Sequence, residues 1–180
     1  MPSSATEHQF SRASRPDRRQ ERTSQVEASA YHEAGRLIFC LYFGIPVESI
    51  VFSGNSPRVK IRFDSSNTDQ QVAAHYYQVV LSGELAVKRF LKVETLDHIR
   101  DQADLTRLFA RYNPARSGDA EAFHDEMAAC RRRVIIHMAD PKMASAIRFA
   151  ASYIQGEQST VSGRRLDALL RVVFRMMTVK

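Results

Sequence analysis

"YHEAGRLIFCLYFGIP", residues 31–46, decides the fold. Ala34, Leu37, Ile38, Leu41 and Ile45 recur at helical spacing. Phe39, Cys40 and Phe43 cover the other side, so the second half of this helix is apolar all round. A helix of that kind belongs in the middle of a domain, covered on every face. Gly44 and Pro46 end it. Upstream, Ser24 offers an N-cap and Glu27, three residues on, its capping-box partner, so the spacing predicts a start near Ser24.

The polar start of the same helix carries a second signal. "HEAGR", residues 32–36, is one letter away from HExxH. In that motif, residues i and i+4 share a helix face with Cβ atoms about 5–6 Å apart. Two imidazoles so placed hold one Zn²⁺, and the Glu after the first takes a proton from the metal-bound water. Here the second histidine is Arg36. A guanidinium is permanently charged and has no lone pair to donate, so it cannot be a ligand.

Working outward, residues 1–23 are rich in Ser, Arg and Gln and nearly free of large apolar side chains, which predicts a disordered basic arm. Residues 24–180 form one domain. After the central helix, "ESIVF" (48–52) and "RVKIRF" (58–63) alternate around "SGNSP" and predict one β-hairpin. A long helix follows from Thr68 to about Leu91, with Ser82 and Gly83 in its middle. Glycine weakens a helix interior, so a close approach of another helix is expected there. "LTRLFARY" (105–112), residues 119–138, Asp140-Pro141 to about Gln155, and "SGRRLDALLRVVFRMM" (162–177) predict four more helices. The fold class is mainly α with one small β-hairpin.

The totals narrow the possibilities. No apolar run approaches bilayer length, and the N-terminus has no apolar signal core. Cys40 and Cys130 make no disulfide framework, which with the missing signal points to a cytoplasmic protein with buried thiols. Of the net charge of +6, the first 25 residues hold +2 and the longer remainder +4. No nucleic-acid-binding signature accompanies that charge, and a solvated basic surface is the plainer explanation.

Four segments together suggest a family. "SAYHEAGRLIFCLYFGIPVESIVF" (29–52) resembles the first motif of the FtsH-type zinc metalloproteases, an Ala-Tyr-HEAGH helix followed by a Pro-Val strand. "VVLSGELAVKRFL" (79–91) is similar to that family's later helix, with its small-residue pair, usually Gly-Gly, and then an alanine. "DQADLTRLFARY" (101–112) resembles the segment that supplies the third zinc ligand, an Asp followed by Leu, and "VSGRRLDALL" (161–170) resembles the closing helix. The likeness covers residues 25–175, in the family's order, and is nearest to short stand-alone members without the ATPase. The sequence has no G-x-x-x-x-G-K-[ST] loop for ATP. The family's hexamer draws much of its ring from that ATPase.

The resemblance implies Zn(II) as cofactor, His32 as first ligand, Glu33 as catalytic base and Asp104 as third ligand. It chooses Asp104 for its Asp-Leu pair, although Asp101 lies nearer the middle of that helix's apolar stripe. Either acid could simply complement the helix dipole. Three departures stand out: Arg36 for a ligand, Ser82 for the first glycine, and Val87 and Lys88 where acids are usual. The main expectation is a degenerate peptidase-like domain that holds no zinc, with Arg36 paired to Asp104 in the metal's place, acting as a binding or regulatory module for a protein or peptide. The hairpin edge could add a strand to such a peptide. One alternative is an active zinc-dependent metalloendopeptidase with an irregular ligand set, in which His75, His98, His124 or His137 stands in for the lost ligand. A second is a small basic nucleic-acid-associated protein using the arm with Arg164, Arg165, Arg171 and Arg175.

Overall fold

The computed structural model describes residues 18–62, 69–93 and 98–178, with the side chains of 18–24 and 98–100 excepted. It is mainly helical, with a small three-stranded antiparallel sheet. The central helix α1 runs Arg18–Tyr42, so it begins six residues before the expected cap and absorbs the end of the expected arm. Residues 1–17 lie outside the described chain. Its end is as the sequence implies. Gly44 takes a left-handed φ of 68°, and Ile45 N–H donates to Cys40 O at 2.8 Å.

The hairpin is β1, Val47–Ser53, and β2, Ser56–Ile61, turned at Gly54-Asn55. Ile50 faces Val59 across the pair, and both are buried. The expected extension of the second strand to Phe63 falls outside the described residues. A third strand, β3, Val161–Ser162, pairs with β1 on its other side, so the order is β2-β1-β3. Two residues are too few to show alternation, which is why only a hairpin was legible.

Helix α2, Gln70–Leu91, is capped by Asp69, whose carboxylate accepts from Gln71 N–H at 2.8 Å. Helices α3, His98–Tyr112, α4, Ala120–Ala139, α5, Pro141–Gly156, and α6, Gly163–Thr178, follow. Asp140 caps α5 through Lys142 N–H, with Pro141 in the first turn as expected. Helix α1 packs between α2 and α5, with β2 against it and α3 and α4 against the outer side of α2. From Leu37 to Cys40, every residue of α1 is fully buried. Cys40 and Cys130 are buried free thiols. Among the described residues no helix is long and apolar enough to cross a membrane.

The α1–α2 crossing is tight for a reason visible in its composition. A Cβ on Gly35 would collide with the backbone carbonyl of Ser82, and one on Gly83 would sit 2.6 Å from His32 Nε2. Gly83 therefore gives up about 1 kcal/mol of helix propensity to admit an imidazole ring. This is the close helix approach that Ser82-Gly83 implied.

Candidate functional site

Four ionisable side chains converge at this crossing: His32, Glu33 and Arg36 from α1 and Asp101 from the first turn of α3. All four are buried. His32 Nε2–H donates to Asp101 Oδ2 at 2.7 Å, and Nδ1–H donates to Glu33 Oε1 at 3.1 Å. Ionised carboxylates only accept, so each contact needs an N–H, and the ring carries both protons. Burial alone would lower the His32 pKa; hydrogen bonds to Asp101 and then Glu33 outweigh it and raise the value to about 9. The ring is an imidazolium at neutral pH.

Glu33 is engaged on both oxygens. Val59 N–H of β2 donates to Oε2 at 2.7 Å, and Arg36 Nη1 lies 3.6 Å from Oε1. Burial pushes its pKa upward, but Arg36 and His32 together hold it below the usual carboxylate range. With His32 and Arg36 cationic against Glu33 and Asp101, the cluster is formally neutral, which is how four charges can leave water together. It is not fully satisfied. The Arg36–Glu33 distance is too long for a hydrogen bond, and Arg36 Nε, Arg36 Nη1 and Asp101 Oδ1 are buried without hydrogen-bond partners.

His32, Glu33 and Arg36 thus stand together as expected, and Asp104 does not join them. Asp104 is partly exposed and pairs with Arg107 one turn along α3. Arg36 pairs with Glu33, which corrects the expected Arg36–Asp104 contact. The reason is helical phase. Asp101, Leu105, Phe109 and Tyr112 share the buried face of α3, and Asp104 is rotated off it. The signal for Asp101 was the apolar stripe itself.

Three of the four substitute histidines lie elsewhere. His75 stacks on Phe43 with ring centroids 4.2 Å apart, and His137 packs on Tyr42 at 4.8 Å. Phe43 is eleven residues from His32, about 16 Å along the helix. His124 packs beside Phe123, and the side chain of His98 lies outside the described residues. Arg164, Arg165, Arg171 and Arg175 are exposed on α6, with Arg165 paired to Glu157.

A catalytic zinc site needs an imidazole lone pair, usually three protein ligands, and a base with a free lone pair facing the bound water. A guanidinium, which has no lone pair to give, stands at i+4 in place of the second imidazole, and both Glu33 oxygens lie within hydrogen-bond distance of His32 and Val59. Among the described residues no three His, Cys, Asp or Glu side chains gather to hold a metal. With Arg36 at i+4, the pair of helix ligands that HExxH supplies is incomplete. What the cluster can do is hold charge in place: it ties α1, α3 and β2 to one another through named hydrogen bonds.

Beside the cluster lies a cleft of about 450 Å³, whose lining includes Arg36 and Asp104. Cys40 is also close to Arg36, but burial pushes its thiol up to about 12, so it stays protonated and inert. Compared with protein-family models and with curated proteins, the chain matches none.

Proposed function

We propose that the chain is an FtsH-type peptidase-like domain in which an ionic lock has replaced the metal centre. It cleaves nothing and serves, in the cytoplasm, as a binding or regulatory module for a protein or peptide. One observation carries this reading: a buried guanidinium, Arg36, stands where the second imidazole ligand would be, beside a His32 ring held between Glu33 and Asp101. Arg36 supplies the positive charge at the helix junction that a cation would otherwise supply, and Asp101 rather than Asp104 takes the ligand position on α3.

Metal analysis of purified protein tests this directly. The expected result is less than stoichiometric zinc, and no casein cleavage that depends on Glu33. Stoichiometric zinc lost in His32→Ala, with casein cleavage lost in Glu33→Gln, would establish an active peptidase instead. Arg36→His is the sharpest variant: it restores the missing imidazole, and zinc uptake in that variant alone supports descent from a metal site.

A further inference from the structure

Arg36 is a buried cation with poor service from its own protein. Its Nε and Nη1 lack hydrogen-bond partners. Glu33 is 3.6 Å away and already accepts from His32 and Val59, while Asp104 is taken by Arg107. An unsatisfied buried guanidinium is costly, and Arg36 also lines a cleft open to solvent.

The cleft of about 450 Å³ beside it has the matching composition. Arg36 forms its buried end, and Arg107 and Arg111 stand exposed at its rim. Against these three cations the lining holds one acid, Asp104. The remaining wall is apolar or aromatic: Ile61 from β2, Tyr76 and Val80 from α2, and Leu108 from α3. A strongly hydrated polyanion gains little from such a wall. A planar carboxylate on an apolar body suits both the fork of a guanidinium and the surface next to it.

We propose that this cleft binds a carboxylate carried on an apolar group, with Arg36 holding the acid and the Ile61–Val80–Leu108 wall holding the body. The acid could come from a peptide C-terminus or from a free aliphatic acid. The inference rests on the non-catalytic reading of the Arg36 cluster.

Calorimetric titration of the full chain distinguishes the sources. Four probes serve: N-acetyl-glycyl-leucine and its C-terminal amide, and 4-methylpentanoate and its amide. Each acid should bind at least roughly tenfold more tightly than its amide, because only the acid makes charge-assisted hydrogen bonds. Preference for the peptide acid identifies a C-terminus; preference for 4-methylpentanoate identifies a free acid. Asp104→Asn should tighten the acids severalfold and leave the amides unchanged, by removing the one like charge in the cleft. Arg36→Gln should abolish the acid preference; should that variant fail to fold, Asp104→Asn alone decides. Acids and amides that bind alike, no binding at millimolar concentration, equal competition by inorganic phosphate, or an unresponsive Asp104→Asn would each overturn the proposal. Stoichiometric zinc in the same preparation would remove the non-catalytic reading and this inference together, whereas zinc-free protein that ignores the acids removes this inference only.

Discussion

Glu33 and Glu84 are both buried helix glutamates held below the usual carboxylate range, yet the molecule serves them differently. Glu84 of α2 is met by two long side chains from the surface. Lys88 reaches it at 2.9 Å, and Arg131 of α4 binds it in a fork at 3.1 and 3.3 Å. Both cations stay 36% exposed, so water shares the load. Glu33 sits in a cluster with no member exposed, three unpartnered polar atoms and no room at Gly83 for adjustment. The first arrangement is an ion pair that stabilises; the second is a constraint, tolerable only while all four charges stay together.

The largest expected effect comes from breaking the constraint. Asp101→Ala leaves a buried imidazolium and guanidinium facing one carboxylate, and should cost about 3–5 kcal/mol in urea denaturation. A loss under about 1 kcal/mol would mean that water reaches the cluster as it reaches Glu84.

Titration comes next. The folded His32 pKa of about 9 lies above its unfolded value, so the folded state binds the proton more tightly. That stabilisation is complete below about pH 6.5 and fades as pH rises through about 9, a loss of about 3 kcal/mol. Glu33 and Glu84 work on the acid side: their lowered values give stability that is present above the unfolded carboxylate pKa and is lost as pH falls through the folded ones. Denaturation at a series of pH values should give a stability maximum on the mildly acid side, between about pH 4.5 and 6.5, with an alkaline slope absent from His32→Gln.

Gly83→Ala tests the packing around the constraint. Overpacking costs about 1–3 kcal/mol, and the better helix former returns about 1. His32 is pinned by two hydrogen bonds and cannot move aside, so the upper end of that cost applies, and the variant should lose about 2 kcal/mol in thermal unfolding. The smallest effect belongs to the other pair. Arg131→Ala keeps the Lys88 contact to Glu84 and should cost about 1 kcal/mol or less. A loss as large as that of Asp101→Ala would erase the distinction between the two sites.

Much of this was legible in the residues. The apolar second half of α1, the Gly44 stop, the hairpin turn, the Asp140-Pro141 start and the tight crossing at Ser82-Gly83 all have local causes that sequence carries. The start of α1 was not, because charged residues from Arg18 to Arg22 suit a helix and a solvated arm equally. Neither was β3, whose two residues gain meaning only beside β1. Asp101 was the instructive miss. The apolar stripe through Leu105, Phe109 and Tyr112 already held it, and the two-letter Asp-Leu likeness drew attention to Asp104. Period over a whole helix is stronger evidence than a dipeptide, since burial acts on faces rather than on neighbours. The clamping of His32 could not be read at all, as it depends on two carboxylates 1 and 69 positions away meeting one ring.

The Val59 amide carries a consequence of its own. Strand β2 is at the margin of the sheet, where backbone protons ordinarily trade quickly with solvent. This one is held by a carboxylate inside the protein. Its deuterium uptake therefore reports, from a single backbone position and without any attached probe, whether the charges behind it are still assembled.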